Sequence, residues 1–249
     1  MADHSSMKLG RKAIVTDTRT LRLATYLSDA LPEPPVVQDW TRGLTDWGTM
    51  CNDQLGCCTI AGVGHAIQVW TVNNGSLTTV PDSVIEQYYE KWDGYVAGDE
   101  TTDNGGIEID VLKAWKKQGF NGNRLLAFAD PCTANIREVR QAITLFGGVY
   151  IGLDLPVTAQ KQEVWDVVRD GGPDAARGSW GGHCVFVPKY DANSFTCITW
   201  GQLKTMTVPF WQSYCDEAHA LLDESWTGTR KAPSGFDRTQ LLADLKQIH

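Results

Sequence analysis

The sequence predicts an α+β fold, with helices first along the chain and strands after them. Amphipathic helical patterns occupy the chain up to residue 146, and short apolar or alternating runs follow from residue 149. Helices before strands, without a regular βαβ repeat, are typical of this class. A chain of 249 residues is long enough for one large domain or for two lobes around a cleft.

Four segments carry the helical pattern. The first places Ile60, Val63 and Ile67 near helical spacing and stops before Gly75. The predicted helices are Thr59–Asn74, Pro81–Trp92, Ile107–Gln118 and Asn135–Phe146. Two shorter helices are expected within Leu21–Leu31 and Arg238–Ile248.

Four later segments carry the strand pattern, and glycine pairs punctuate them. The predicted strands are Val149–Leu155, Gly182–Lys189, Phe195–Thr199 and Lys204–Val208. The change from helical to strand patterns along the chain suggests four regions. We expect an N-terminal arm (1–34), a helical lobe (35–134), a strand-rich lobe (135–225) and a C-terminal tail (226–249).

Composition excludes several classes of function. The net charge is -8 and the basic residues are dispersed, so we expect no nucleic-acid surface. The chain lacks an apolar run long enough for a membrane span, and its polar start lacks a signal-peptide pattern. A cytoplasmic protein that does not bind membranes is therefore expected. Seven cysteines without a CxxC pair argue against a complete disulfide framework.

The strongest chemical signal is Cys58, which stands where the first predicted helix begins. Unpaired N–H groups and the helix dipole at this end stabilise a thiolate and would lower the pKa of the thiol. The same N–H groups can hold an oxyanion. A buried structural cysteine is the alternative interpretation.

A nucleophilic cysteine needs a base, and His183 is the candidate. It opens an apolar strand after Gly181 and Gly182, where a backbone could approach closely. His65 lies about 10 Å further along the cysteine helix, too far for direct proton transfer, and is expected to be a core or cleft histidine. The remaining histidines are His4 and His249 near the termini, and His219 in a polar segment interpreted as helical.

The order of these motifs resembles that of the papain-like cysteine peptidases, over about residues 35 to 215. The motifs that carry the resemblance are Val37-Gln38-Asp39-Trp40, Gly56-Cys57-Cys58-Thr59, Gly105-Gly106, the segment Gly181–Asp191, and Ile198-Thr199-Trp200-Gly201. Short members encoded by bacteria and phages look most similar. The resemblance implies a helical lobe packed on a strand-rich half-barrel, with a cleft between them.

The resemblance also implies roles for individual residues. Cys58 matches the nucleophile, with Cys57 a weaker candidate, and His183 matches the base. Trp200 matches the tryptophan that covers this part of the site. The oxyanion donor is expected to be Asn52, by its register, and Gln54 is the second choice.

Ile198 departs from the family pattern, which has an asparagine there to orient the histidine. Isoleucine offers no acceptor, and Thr199 is expected to point to the opposite face of the strand. Asp191 is a conceivable substitute. The arm before Pro32 is expected to be too short to act as an inhibitory propeptide.

The sequence therefore predicts a thiol hydrolase, most simply a cysteine peptidase acting on a peptide or protein, without a metal or cofactor. The alternative is a non-catalytic binding or structural protein on the same fold, such as a phage particle component with virion or assembly partners. Acyl transfer to an acceptor other than water would use the same pair. A zinc site at Cys57 and Cys58 lacks the usual ligand spacing, and no carboxylate pair is singled out for glycoside hydrolysis.

Overall fold

The computed structural model of the chain describes residues 3–18, 20–25 and 33–227, and it confirms the α+β class. Its α-helices are α1 (Cys58–Asn73), α2 (Asp82–Asp93), α3 (Glu108–Gln118), α4 (Ile136–Phe146), α5 (Val208–Tyr214) and α6 (Glu224–Thr227). Short 3-10 helices occur at Leu23–Thr25, Glu100–Thr102, Val157–Lys161 and Gly172–Ala175. The four predicted long helices are all present, each within one residue of its expected ends.

The described strands form one mixed sheet. They are β1 (Leu21–Arg22), β2 (Gln38–Asp39), β3 (Leu125–Asp130), β4 (Val149–Leu155), β5 (Gly181–Tyr190), β6 (Ser194–Thr199), β7 (Gln202–Thr207) and β8 (Cys215–Asp223). Their order is β1-β3-β8-β4-β5-β6-β7, and β2 pairs with β5. Only the β1–β3 pair among the described strands is parallel; the other pairings are antiparallel.

Helix α1 is the central helix of the core and packs most extensively on β5. Every residue from Cys58 to Trp70 is buried. Two glycines make this close packing possible. A Cβ atom added at Gly62 would lie 2.9 Å from the ring of Tyr150, and one added at Gly64 would lie 2.4 Å from the sulfur of Met50. Helix α1 therefore holds its first residue firmly against the sheet.

Several sequence predictions need correction. The sequence reasoning missed the strands β3 and β8 altogether. His219 lies in strand β8, so the helical interpretation of its segment is wrong. Val208 begins α5 instead of ending a strand, because Thr207 accepts a hydrogen bond from the Phe210 N–H and caps that helix.

Some predictions fall partly or wholly on residues that the structure does not describe. The expected helix at Arg238–Ile248 lies outside the described residues. Of the expected helix within Leu21–Leu31, the described part holds only strand β1 and a 3-10 turn.

The four-region division stays a prediction. Strand β3 lies before residue 135 and already belongs to the sheet. Trp226, at the start of the expected tail, is buried, packs edge-on against Trp40, and donates a hydrogen bond to the Leu145 carbonyl.

Candidate active site

Cys58 is the first residue of α1, and its side chain is buried. Its Sγ accepts a hydrogen bond of 3.4 Å from the N–H of Cys184, the residue that follows His183 in β5. The neighbouring Cys57 points elsewhere, because its Sγ contacts the Met50 carbonyl at 3.4 Å. The structure thus brings Cys58, and not Cys57, to the strand that carries the histidine.

A carboxylate fixes the loop that leads into α1. Asp103 accepts hydrogen bonds from the Gly56 N–H at 2.9 Å and from the Tyr89 hydroxyl at 2.6 Å. The same hydroxyl accepts a hydrogen bond from the Gly105 N–H at 2.8 Å. The start of the cysteine helix and the Gly105-Gly106 segment are therefore tied to one another through the half-buried Asp103 and the buried Tyr89.

His183 is fully buried and is oriented by a hydroxyl. Its Nε2 lies 2.7 Å from Oγ1 of Thr199. Its Nδ1 has no hydrogen-bond partner among the described residues. One ring nitrogen is therefore fixed, and the other is left available for proton transfer.

Thr199 corrects the expectation that it points away from the histidine. Phe186 of β5 pairs with Ile198 of β6, so these two side chains share one face of the sheet. Alternation then places His183 and Thr199, each an odd number of residues away, on the other face. Ile198 is fully buried in the core. The missing asparagine is thus replaced by the next residue along the strand.

Trp200 covers the histidine. The two rings stack with centroids 4.6 Å apart and planes 16° from parallel. Trp200 and Gly201 form the two-residue turn between β6 and β7, with φ of +47° and +78°. Turns of this kind need positive φ at both positions, which is uncommon for a bulky residue. The tight hairpin therefore holds the indole over His183.

Two candidate oxyanion donors occupy different places. The side chain of Asn52 is buried, and its Nδ2 donates to the Leu55 carbonyl at 3.0 Å and lies 3.5 Å from the Lys8 carbonyl. Gln54 is exposed and its amide contacts the Asp53 carboxylate at 3.5 Å. Asp191, the conceivable substitute for the missing asparagine, accepts hydrogen bonds within its own turn.

The N-terminal arm lies in the cleft, contrary to the expectation that it is too short to cover the site. We call residues 8–12 the strap. The N–H groups of Gly10 and Arg11 donate to the Gly182 carbonyl at 3.2 and 3.0 Å. On the other side, the Lys12 N–H donates to the Gly106 carbonyl, and the Gly106 N–H donates to the Gly10 carbonyl, both at 2.8 Å.

Glycines make the approach of the strap possible. A Cβ atom at Gly10 would lie 1.7 Å from the Gly56 carbonyl oxygen, and one at Gly105 would lie 1.9 Å from the Gly10 oxygen. One at Gly182 would lie 2.3 Å from the Arg11 oxygen. Such distances are far inside van der Waals contact, so this cleft binds an extended main chain and excludes side chains from its walls.

The N-terminal arm also contacts Trp200, both within the strap and before it. Its indole N–H donates to the Lys8 carbonyl at 3.1 Å. His4 stacks on the same indole, with ring centroids 5.3 Å apart. The arm is thus anchored on the tryptophan that covers His183.

Comparison with known proteins was made by sequence and by structure. No family model and no curated protein matches the sequence. The solved structure of xylellain, a cysteine protease from Xylella fastidiosa, aligns with a TM-score of 0.66 at 12% identity, over 89% of this chain and 98% of that one. Procathepsin L 3 of the Tenebrio molitor larval midgut aligns with a TM-score of 0.58 at 12% identity, over 88% and 76%. A Carica candamarcensis cysteine protease aligns with a TM-score of 0.52 at 11% identity, over 75% and 98%.

The chain has the papain-like fold. Identities this low establish the fold alone. The chemistry of the papain-like cleft must therefore be argued from the residues that line it. None of the helices in the described ranges is long and apolar enough to cross a bilayer.

Burial sets the charge state of the papain-like cleft. Desolvation raises the pKa of the Cys58 thiol to about 12, against the weaker effect of the Cys184 N–H. Desolvation also lowers the pKa of His183 to about 3. The sequence predicted a lowered thiol pKa, and in this closed state the direction is the opposite. Both groups are neutral at pH 7 while the strap covers them.

One group of described side chains has the spacing of metal ligands. Atoms of Glu108, Glu217 and His219 all lie within 4.8 Å of one another. The guanidinium of Arg11 already lies against both carboxylates, at 3.1 and 2.9 Å. This cluster therefore holds a cationic side chain, and we assign no metal to it.

Sequence reasoning missed three parts of this site. Thr199 could have been found by counting strand alternation from the β5–β6 pairing. The Asp103–Tyr89 link had no signal in the sequence, because its partners are backbone N–H groups. The strap had one signal only, a glycine after Leu9 and before Arg11 and Lys12 in an otherwise irregular arm.

Proposed function

We propose that this protein is a thiol hydrolase, and specifically a cysteine peptidase, with Cys58 as nucleophile and His183 as base. The observation that carries the proposal is the strap itself. The cleft beside Cys58 binds an extended peptide through main-chain hydrogen bonds from both of its walls. A peptide substrate would occupy the same cleft once the strap leaves it.

The first step is proton transfer from the Cys58 thiol to Nδ1 of His183. The Thr199 hydroxyl, 2.7 Å from Nε2, can accept a hydrogen bond from the tautomer that carries its proton on Nε2, and this is the tautomer that the step requires. Nδ1 is then an acceptor, consistent with its lack of a partner in the closed state. Departure of the strap readmits water, which removes the desolvation that keeps both groups neutral.

The thiolate then attacks the carbonyl carbon of the substrate. The developing oxyanion would be held by the side-chain amide of Asn52 and by the N–H groups at the start of α1. Protonated His183 returns its proton to the leaving amine as the C–N bond breaks, which leaves a thioester on Cys58. Water, deprotonated by His183, hydrolyses the thioester and restores the thiol.

The second candidate is a non-catalytic binding or structural protein, such as a virion component, on the same fold. The sealed state favours it, since Cys58 and His183 are both buried and both neutral. For either candidate we propose a cytoplasmic or virion-associated location.

A peptide-cleavage assay separates the two candidates. The variant Gly10→Ala, which should expel the strap, is incubated with a mixture of peptides, and new termini are identified by mass spectrometry. The control carries Cys58→Ser in addition. Cleavage that depends on Cys58 supports the peptidase. Intact peptides, in a variant whose strap is shown to be released, would favour the non-catalytic protein.

A further inference from the structure

Arg11 is the side chain of the strap that enters the protein body, and its side chain is completely buried. Four carboxylates surround its guanidinium. The distances are 3.1 Å from Nε to Glu108, 3.2 Å from Nη1 to Asp154, and 2.6 and 2.9 Å from Nη2 to Asp216 and Glu217. Two of these carboxylates are almost completely buried themselves, at 0% exposure for Glu108 and 5% for Glu217.

The pocket is shaped for a flat cationic group. Gly152 of β4 forms one wall, and a Cβ atom there would lie 2.2 Å from Nε and 2.4 Å from Cζ of Arg11. All three guanidinium nitrogens face carboxylates, which come from α3, β4 and β8. A lysine ammonium is a single point charge and could not face all of them at once.

The charge of the pocket exceeds what one arginine balances. Arg177 contacts Asp154 and Asp216 at the mouth, at 3.1 and 3.6 Å. His219 lies 3.0 Å from Glu217, and its pKa is raised to about 10 by hydrogen bonds to Asp130 and Glu217, against the effect of burial. Without Arg11, the four carboxylates would face only these two cationic groups. Burial already raises the pKa of Glu108 to about 8 with Arg11 in place, so an emptied pocket would take up either a proton or another cation.

The pocket that holds Arg11 opens off the cleft close to Cys58. The backbone of Gly10, which precedes Arg11, weakly opposes the rise in the pKa of the Cys58 thiol that burial causes. A cavity of about 190 Å³ lies beside the pocket and shares Asp216 and Glu217 with it. Residues 14–18 of the arm line the other side of this cavity, so release of the arm would open both to the cleft.

We propose that Glu108, Gly152, Asp154, Asp216 and Glu217 form a substrate pocket selective for an arginine side chain, which Arg11 fills while the strap is in place. The inference rests on the proposed function, because it takes the cleft as a substrate site. It adds the substrate class, namely peptides that carry an arginine close to the peptide bond that is cut. Every carboxylate of the pocket belongs to the protein body and stays in place when the strap leaves.

The first test measures binding without catalysis. The full chain carrying Cys58→Ser and Arg11→Ala is titrated calorimetrically with N-acetyl-arginine amide, the lysine analogue and the neutral isostere N-acetyl-citrulline amide. We expect arginine to bind at least about tenfold more tightly than either analogue, the loss expected for a charge-assisted hydrogen bond. Equal binding of all three probes would overturn the pocket.

Substitutions locate the binding. Gly152→Ala should abolish arginine binding by filling the pocket, and Glu217→Gln should weaken it about tenfold or more. Asp46→Asn, on an exposed carboxylate that is not part of the pocket, is the charge-matched control and should leave binding unchanged. If the Arg11→Ala variant does not fold, Arg11→Gln takes its place, because glutamine keeps much of the side-chain length and lacks the charge. Arginine binding that survives Gly152→Ala would contradict the proposal.

Peptide cleavage distinguishes this inference from the proposed function. Selective arginine binding without any cleavage would retain the pocket and reject the peptidase. Cleavage without preference for arginine would retain the peptidase and reject the pocket. Cleavage that favours arginine in one fixed position relative to the cut bond, and loses this preference in Glu217→Gln, would support both.

Discussion

Thr199 takes the place that the family pattern gives to an asparagine at position 198. Its hydroxyl lies 2.7 Å from Nε2 of His183 inside the core, where such a bond is not weakened by competing water. It does not touch the reacting atoms, so it acts as a positioning residue. The bond holds the imidazole ring in place, and the ring position decides whether Nδ1 can reach the thiol proton.

Thr199→Val removes this hydroxyl with little change of shape. In the strap-released Gly10→Ala background we expect kcat to fall about 2- to 10-fold, with KM nearly unchanged, because one neutral hydrogen bond is worth about 0.5–1.5 kcal/mol. The measurement is steady-state peptide hydrolysis as a function of pH. Thr199→Ser should restore the rate.

The matched control is Thr205→Val, in the same hairpin. It removes a hydroxyl that lies 3.2 Å from the Thr196 hydroxyl, away from His183. Equal rates and equal pH profiles for the two valine variants would contradict the positioning role of Thr199.

The buried His183 also links stability to pH. Its folded pKa of about 3 lies below the ordinary value of 6.5 because burial disfavours the charged ring. Between these values the unfolded chain binds a proton that the folded chain does not, so this group lowers stability as pH falls below 6.5. At pH 5 the loss is about 2 kcal/mol, at 1.36 kcal/mol per pH unit.

A variant isolates this contribution from the other titrating groups. The free energy of unfolding is measured in urea at pH 7.5 and pH 5 for the wild type and for His183→Gln. The free energy of unfolding of His183→Gln minus that of the wild type should be about 2 kcal/mol more favourable at pH 5 than at pH 7.5. His65→Gln should behave alike, since burial lowers the pKa of His65 to about 4. An unchanged difference would mean that His183 is hydrated in the native state.

At the residue scale, the sequence predicted what local motifs determine. Cys58 and His183 were singled out from a helix start and a glycine-flanked strand, and Trp200 from the family resemblance. In the structure Cys58 contacts Cys184, the residue after His183, and Trp200 stacks on His183. The partner of His183 depended on which face of β6 meets β5, which only the strand pairing fixes. The charge state depended on burial by a segment about fifty residues away in sequence.

At the scale of structural elements, the N-terminal arm has the clearest effect on the cleft. The strap pairs with both walls of the cleft, and Gly10 is its point of closest approach. A Cβ atom added at Gly10 would lie 1.7 Å from the carbonyl oxygen of Gly56. A methyl group cannot fit there without displacing backbone. Gly10→Ala should therefore release the strap and leave the lobes intact.

Hydrogen exchange measures this release directly. In Gly10→Ala we expect the amides of Lys12 and Gly106, which pair across the cleft, to lose protection, while amides of α1 keep theirs. Ser6→Ala, at an exposed position of the same arm, is the control and should exchange like the wild type. Retained protection of Lys12 in Gly10→Ala would show that the strap tolerates the methyl group.

The elements also show where the sequence pattern is informative. Helices α2, α3 and α4 were predicted within a residue because each buries one apolar face and is followed directly by a glycine. Helix α1 is buried on all sides and was recognised from its helical spacing before Gly75. Strand β8 was missed because it carries Glu217 and His219 inward, to the Arg11 pocket and its neighbours, which disguises its alternation. A strand that buries charges for a long-range partner cannot be recognised from its own composition.

The whole molecule joins a papain-like cleft to a segment of its own chain that occupies it. Three attachments hold that segment: His4 stacked on Trp200, the main-chain pairs of the strap, and Arg11 among four carboxylates. With the segment in place Cys58 and His183 are both buried, and burial keeps both neutral. If the proposed peptidase function holds, the closed structure is a latent form, and removal of the strap is the step that would activate it.

The fold was predictable from the sequence at this scale, and latency was not. The papain-like class followed from the order of motifs along the chain, whereas the closed state arises from contacts between residues 4–12 and elements more than forty residues distant. Such contacts leave no periodic signal in the arm.

Alkylation of Cys58 by limiting iodoacetamide at pH 6, located by mass spectrometry, tests the central claim most directly. Exposed Cys132 serves as the ordinary thiol in every sample. We predict that Cys58 labels more slowly than Cys132 in the wild type, faster than Cys132 in Gly10→Ala, and slowly again in Gly10→Ala with His183→Gln. If Cys58 in the strap-released variant labels no faster than Cys132, or ignores the loss of His183, the two residues do not form a reactive pair.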